Sequence, residues 1–170
     1  EYSGQGELIY PDSSKYVGEF RGSKYNGKGT YTYANGDHWS GEWIDGEKIT
    51  GKGVVNYSDG SKYTGLLEDS KRIGSGTLHL ADGKKYIGEF VNNEYSGQGE
   101  LIYPDSSKYV GFFSAGIYDG EGIFSYIDGK HWEGEWIKGQ KFNGYGTIKY
   151  NDGKEWTGGY KKGKMDGNGI

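Results

Sequence analysis

The chain contains no cysteine, two prolines and one methionine among its 170 residues. Without cysteine it forms neither a disulfide nor a thiolate metal site. Leucine, isoleucine, valine and phenylalanine are scarce, which by itself would be typical of disorder. No apolar run is long enough to span a membrane, and no signal-peptide pattern follows Glu1. Any core of this protein must therefore come from other residue types.

Clusters of basic residues are also missing. The net charge is −4, and lysine and arginine are spread along the chain. Binding to nucleic acids or to anionic membranes requires a basic patch, and Lys71-Arg72 and Lys161-Lys162 are too small to form one. We therefore expect no nucleic-acid partner, and a phosphoinositide or anionic lipid is the weaker alternative to a protein partner.

Aromatic residues and glycine are abundant instead: 17 tyrosines, 5 tryptophans and 34 glycines. Aromatic rings bury large areas and replace the missing aliphatic side chains. Gly-x-Gly pairs recur every 23 or 24 residues, which indicates a repeat architecture. We predict one continuous array over residues 1–170. Its units begin near Gly4, Gly27, Gly51, Gly74, Gly97, Gly120 and Gly144, with a partial unit from Gly167.

A longer period is superimposed on these units. Residues 2–18 recur unchanged at 95–111, which predicts a duplicated four-unit block with an offset of 93 residues. The chain begins and ends inside a unit, so we expect it to be a natural or engineered fragment, or the ordered part of a longer array.

Each unit carries a turn signal such as Asn35-Gly36 between alternating runs, which is typical of a β-hairpin. A two-residue loop would pair Thr32 with Trp39. A three-residue loop, a type I turn followed by a glycine bulge, would pair Tyr31 with Trp39. The second alternative separates apolar from polar side chains onto opposite faces and is preferred.

This register places glycines opposite each other on neighbouring strands, as in the pair Gly29 and Gly41. Glycine in mid-strand is costly, and we expect aromatic rings to lie across the gaps that it leaves. Two turns have a serine, Ser13 or Ser106, at the position where glycine is expected in the left-handed conformation. We expect a small loss of stability at these two turns. Because the linkers between hairpins are short, successive hairpins should form one antiparallel sheet.

The pattern Tyr-x-Gly-x-Trp/Phe, a loop, Gly-x-Gly, a strand and Asp/Asn-Gly resembles the MORN (membrane occupation and recognition nexus) repeat. The five-residue motif occurs at 16–20, 39–43, 86–90, 109–113 and 132–136. The resemblance covers essentially the whole chain, and its main departures are Leu66-Leu67 and Gly159-Tyr160. It implies an all-β fold: an elongated, twisted, single-layer antiparallel sheet of about seven tandem hairpins.

The resemblance also implies a function. MORN repeats act as scaffolds that bind proteins or self-associate at cytoskeletal, ciliary or membrane-proximal structures, so the expected location is cytoplasmic. Expected partners are a peptide or helix in an aromatic groove, or a second array in a homodimer or end-to-end assembly. Alternatives are a phosphoinositide adaptor, or a regulatory arm of a larger enzyme such as a phosphatidylinositol-phosphate kinase or SET-domain methyltransferase.

Two rows of aromatic side chains are the candidate partner-binding residues. The first row is expected mainly to pack the apolar face of the sheet, and the second row could form either the core or the wall of a groove. Tyrosine and tryptophan are typical of binding hot spots. The first row comprises Tyr16, Trp39, Tyr63, Tyr86, Tyr109, Trp132 and Trp156. The second comprises Phe20, Trp43, Phe90, Phe113, Trp136 and Tyr160.

No motif indicates catalysis, a cofactor or a metal. The Gly-x-Gly pairs lack the strand–loop–helix context of a phosphate loop. The turn aspartates could attract cations, but aspartate is also a favoured turn residue. The histidines are isolated from one another in the array. We therefore expect a non-enzymatic protein without a cofactor.

Overall fold

The computed structural model describes residues 1–167. The chain divides into two compact units, residues 1–81 (unit 1) and residues 82–170 (unit 2), and each is described by itself. The predicted fold class is confirmed: the described residues form antiparallel strands without a helix. In particular, residues 1–167 include no helix with the length and apolar character needed to cross a membrane.

Unit 1 is a sheet of seven strands in which each strand pairs with the next along the chain. The strands are β1 (Gly4–Ile9), β2 (Lys15–Arg21), β3 (Lys24–Thr32), β4 (His38–Ile44), β5 (Glu47–Asn56), β6 (Lys62–Glu68) and β7 (Lys71–His79).

Unit 2 repeats this arrangement with eight strands. They are β8 (Lys85–Val91), β9 (Glu94–Ile102), β10 (Lys108–Ser114), β11 (Ile117–Ser125), β12 (His131–Ile137), β13 (Gln140–Lys149), β14 (Glu155–Lys161) and β15 (Lys164–Asp166).

The three-residue loop predicted from the Asp/Asn-Gly signals is confirmed. The amide of Gly36 donates to the carbonyl of Tyr33 at 2.9 Å, and the amide of Tyr33 donates to the carbonyl of Asp37 at 2.8 Å. The resulting register pairs Tyr31 with Trp39 and Gly29 with Gly41. The same register recurs within both units, so the aromatic rows share one face. We call this the inner face and the opposite one the outer face.

The linkers between hairpins are two-residue turns, a detail that the sequence analysis did not specify. In each turn both central residues have φ between +46° and +94°, as in a type I′ turn. Some of these positions are not glycine, including Ala115 and Lys138, both with φ of 48°. Type I′ geometry matches the twist of the flanking strands, which explains why the chain adopts it even with these residues.

The two 24-residue spacings among the 23-residue ones reflect a second register. Tyr16 pairs with Tyr31 in the first, whereas Trp39 pairs with Gly53 in the second. Strands β5 and β13, which follow the tryptophans Trp39 and Trp132, have ten residues where β3 has nine. The extra residue therefore brings a glycine opposite the larger indole ring.

Candidate functional site

The candidate site was predicted on the inner face, and most of its residues are buried there. Eleven of the thirteen predicted residues are in the core, with exposed fractions between 0 and 8%. These eleven are Tyr16, Phe20, Trp39, Trp43, Tyr63, Tyr86, Phe90, Tyr109, Phe113, Trp132 and Trp136. Trp156 and Tyr160 are half-buried. The structure thus gives the buried residues a packing role, while their contact with a partner stays a prediction.

The two rows pack edge to face. The rings of Tyr16 and Phe20 are 5.1 Å apart at 84°, and Trp43 from the next hairpin meets Tyr16 at 5.3 Å and 90°. Tyr86 repeats this geometry with Phe90 at 5.1 Å and with Phe113 at 5.1 Å. T-shaped pairs of this kind add to the free energy gained from burial alone. The rows therefore form a continuous aromatic core from Tyr16 to Trp43 in unit 1 and from Tyr86 to Trp136 in unit 2.

First-row tyrosines lie across the opposed glycines, as expected from the sequence. A Cβ atom on Gly18 would approach the Tyr16 hydroxyl oxygen to 2.6 Å, and one on Gly99 would approach Cε2 of Tyr86 to 2.7 Å. The hydroxyl of Tyr16 donates to the carbonyl of Glu19 at 3.0 Å, across the bulge in that strand. Burial raises the pKa of Tyr86 to about 12, so the hydroxyl stays protonated.

A third row of side chains covers the first, and the sequence analysis missed it. Its members stand nine residues after first-row residues and are Tyr25, Lys48, Arg72, Tyr95, Tyr118 and Lys141. Tyr25 stacks on Tyr16 and Tyr95 on Tyr86, each at 3.8 Å and 12°. The constant nine-residue spacing from the first row could have identified the third row in the sequence. It is hard to recognise because the residue type varies among tyrosine, lysine and arginine.

Cations occupy three positions of the third row, at Lys48, Arg72 and Lys141. The ammonium of Lys141 lies 5.4 Å from the ring centre of Trp132 and 5.5 Å from that of Trp136. Burial lowers the pKa of Lys141 to about 8. Arg72 lies 5.6 Å from the ring centre of Tyr57. Such cation–π contacts compensate in part for lost hydration.

Tyrosines just before the three-residue loops border the third row. We call these the rim tyrosines: Tyr10, Tyr33 and Tyr57 in unit 1, and Tyr103, Tyr126 and Tyr150 in unit 2. The hydroxyl of Tyr10 bonds that of Tyr25, and Tyr103 bonds Tyr118 in the same way.

The rim tyrosines and the third row leave an open groove on the inner face. In unit 1 it widens into a depression of about 450 Å³. Its lining includes Tyr33, Lys48, Val55, Tyr57 and Leu67. The groove therefore offers aromatic faces, hydroxyls and an ammonium group, while the buried rows form its floor.

The turn aspartates are explained by the turns themselves. Asp12 accepts hydrogen bonds from the amide and the hydroxyl of Ser14, at 2.9 and 2.7 Å. These bonds, the hydroxyl bond first, lower the pKa of Asp12. The other predicted turn aspartates accept the equivalent amide bond. Within residues 1–167, no group of three histidine, cysteine or acidic side chains is arranged to hold a metal ion.

Comparison with known proteins gives one family match. The family model for the MORN repeat matches residues 16–38, 86–108, 109–131, 132–155 and 156–170. No curated protein matches the chain.

The solved structures that are similar to it include the following two. The first is the SAS-4 (dCPAP) TCP domain of Drosophila melanogaster in complex with a proline-rich motif of Ana2 (dSTIL). It has 17% identity and a TM-score of 0.37, covering 89% of this chain and 86% of that one. The second is the G-box domain of the microcephaly protein CPAP, with 15% identity and a TM-score of 0.26, covering 96% and 97%. At these TM-scores neither likeness carries an argument about function.

Proposed function

We propose that this chain, which belongs to the MORN repeat family, is a non-enzymatic scaffold that binds a partner protein through the inner-face groove. The observation that carries the proposal is the half-exposed strip of third-row and rim side chains above a buried aromatic core. Tyrosine and arginine are enriched in binding hot spots. A partner peptide or helix, or a second array, would place its apolar side chains between the rim tyrosines.

Preorganisation supports the groove as a binding surface. Tyr25 is stacked on Tyr16 and bonded to Tyr10, so its ring is held before any partner arrives. Tyr118 is held in the same way by Tyr109 and Tyr103. Side chains fixed in this manner lose little conformational entropy on binding.

Self-association is a second mode that the strand arrangement supports. Strand β1 lies at an edge of its sheet and pairs with β2 only, within the described residues. Exposed edge strands are templates for pairing with another chain. We propose end-to-end contact or dimerisation through this edge. Light scattering that stays strictly monomeric over a concentration series would count against it.

The proposed function does not include enzymatic activity, a cofactor or lipid binding. The proposed location is the cytoplasm, at cytoskeletal, ciliary or membrane-proximal structures. The turn aspartates are bonded within their turns and the inner-face lysines lie over aromatic rings, which supports structural roles for these groups.

The groove is tested by exchanging its exposed side chains and leaving its floor intact. The double variant Tyr33→Ala, Tyr57→Ala removes two rim tyrosines. The control variant Ile44→Ala changes a side chain that is 55% exposed and stands beside inner-face Trp43 in the strand, hence on the outer face. Partner proteins recovered from extracts of the source cells are quantified by mass spectrometry for the wild type and both variants.

We expect a set of proteins to be lost with the double variant and retained with Ile44→Ala. Equal recovery by all three proteins would contradict binding through the groove. Far-UV circular dichroism of each variant checks that the sheet is intact.

A further inference from the structure

The outer face of unit 2 carries an exposed apolar patch outside the groove. It consists of Val110, Phe112, Ile123 and Tyr145, exposed by 41, 42, 43 and 61%. Val110 and Ile123 are direct partners across β10 and β11, and all four line a shallow depression of about 620 Å³. Contiguous exposed apolar side chains of this kind on a protein surface often mark an interaction site.

The duplicated block provides an internal comparison for this patch. Counting back 93 residues, the positions of Phe112, Ile123 and Tyr145 are occupied in unit 1 by Glu19, Thr30 and Lys52. Those polar residues fit the same strand positions.

In unit 1 the polar side chains make local hydrogen bonds. Thr30 shares a hydrogen bond of 2.7 Å with Ser40, and Glu19 accepts the amide of Lys28 at 3.2 Å. The backbone at these positions therefore does not require apolar side chains. The requirements of the fold therefore do not explain why unit 2 exposes Phe112, Ile123 and Tyr145 at these positions.

The charge of the outer face changes together with its polarity. Glu121 and Glu133 line the depression in unit 2, where unit 1 has Lys28 and Ser40. In the part of the chain that the structure describes, neither carboxylate forms an ion pair, whereas nearby Glu100 pairs with Lys108 at 2.8 Å. The patch is thus apolar and bordered by carboxylates without a cation.

These features select the kind of partner. A second copy bound through the same face would oppose carboxylates to carboxylates, which is unfavourable. A stable interface between folded proteins buries about 800 Å² on each side, more than this patch offers. A short segment with basic side chains next to apolar ones matches both the area and the charge.

We propose that the outer face of unit 2 binds a short segment of another protein that carries lysine or arginine beside apolar side chains. Val110, Phe112, Ile123 and Tyr145 contact its apolar side chains. The carboxylates of Glu121 and Glu133 pair with its cations. This site lies on the opposite face from the groove and is additional to it.

The test uses the full chain and a phage-displayed library of random 12-residue peptides. Recovered peptides are synthesised, and their affinities are measured by fluorescence polarisation. The decisive variant is Phe112→Glu, Ile123→Thr, Tyr145→Lys, which gives unit 2 the residues of unit 1 at these three positions and keeps Glu121 and Glu133. Because unit 1 carries these residues at equivalent positions, the variant should fold, and circular dichroism verifies this.

We expect recovered peptides to be enriched in lysine or arginine together with apolar residues. Their affinity should fall at least tenfold with the triple variant and also when their basic residues are replaced by glutamate. Failure to recover any peptide, recovery of peptides without basic residues, or equal affinity for the triple variant would each overturn the proposal.

A transplanted patch provides a gain-of-function control. The variant Glu19→Phe, Thr30→Ile, Lys52→Tyr, Lys28→Glu, Ser40→Glu builds the patch on unit 1 and should raise the peptide stoichiometry from one to two. Unchanged stoichiometry with an intact fold would contradict the proposed determinants.

The groove variant Tyr33→Ala, Tyr57→Ala separates the two proposals. It should leave peptide affinity unchanged, because it alters the inner face only. If it removed peptide binding while the triple variant did not, the outer-face site would be refuted and the groove supported.

Discussion

The packing of first-row rings on opposed glycines leads to a steric prediction at Gly99. Gly99 has an ordinary strand conformation, and a Cβ atom there would lie 2.5 Å from the Tyr86 hydroxyl oxygen and 2.7 Å from its Cε2. Tyr86 has no free space to move into, because it is fully buried and stacked on Tyr95 at 3.8 Å. Gly99→Ala should therefore displace a core ring.

The magnitude follows from three contributions. Overpacking a core costs about 1–3 kcal/mol. Displacement of the ring also breaks the hydrogen bond from Tyr86 to the carbonyl of Glu89, which contributes about 1 kcal/mol. Alanine regains roughly 0.5–1 kcal/mol over glycine in a strand. The free energy of unfolding should fall by about 1–3.5 kcal/mol, measured by urea denaturation monitored by circular dichroism.

Gly6 is the matched control for Gly99. It stands in the same sequence, since residues 2–18 equal residues 95–111, but β1 lies at the sheet edge and no first-row ring covers Gly6. A Cβ atom there would meet only the edge of the Phe20 ring, at 3.2 Å. Gly6→Ala should change the unfolding free energy by less than about 1 kcal/mol, because a ring edge at this distance can shift slightly.

Equal effects of the two substitutions would refute the idea that Tyr86 requires glycine beneath it. A further check is the double variant Tyr86→Leu, Gly99→Ala. Leucine leaves room for a Cβ, so the additional cost of Gly99→Ala in that background should drop below about 1 kcal/mol.

Three further predictions follow from single sites. Ser106→Gly should stabilise the protein by about 0.5 kcal/mol in urea denaturation, because Ser106 has φ of 68° and glycine adopts this region without strain; destabilisation would contradict it. Lys141→Met should stabilise the protein by about 1 kcal/mol at pH 7, after allowance for solvent at this half-buried group. Burial lowers the pKa of Lys141 to about 8, below its unfolded value of 10.5, so wild-type stability should rise between pH 8 and 10 and the variant should lose this rise. A slope that persists in Lys141→Met would exclude Lys141 as its source. Trp136→Ala should cost about 3–5 kcal/mol and weaken near-ultraviolet circular dichroism, because Trp136 is 5% exposed. The control Tyr145→Ala on the outer face should stay within about 0.5 kcal/mol.

The hairpin register could be predicted from the sequence because polarity alternates along the strands. Only the three-residue loop places Tyr31 opposite Trp39 with all rings on one face, and the structure has that pairing. The type I′ linkers were not specified, because residues such as Ala115 and Lys138 do not signal a positive φ. The turn is imposed there by the pairing of the strands on either side.

The site was harder to predict than the fold. Aromatic periodicity identified the rings but could not tell how far each would be buried, since burial depends on the third row. Lys48 and Lys141 would ordinarily be assigned to solvent, yet both lie over the indole rings of the preceding strand. The positions of these lysines follow from three features together: the indole ring on one strand, the two-residue turn after it, and the register of the next strand.

Positions that lie 93 residues apart in the sequence show where side chains can vary in such an array. Inner-face positions are constrained, because each first-row ring packs against its glycines and a third-row side chain: Tyr16 stacks on Tyr25, and Trp39 is followed by a longer strand that carries Lys48. Outer-face positions carry no such coupling, and replacement of Glu19 by Phe112 at equivalent positions leaves the strand pairing intact. A duplicated array can therefore acquire a new binding surface on its outer face without disturbing the aromatic core that holds the sheet together.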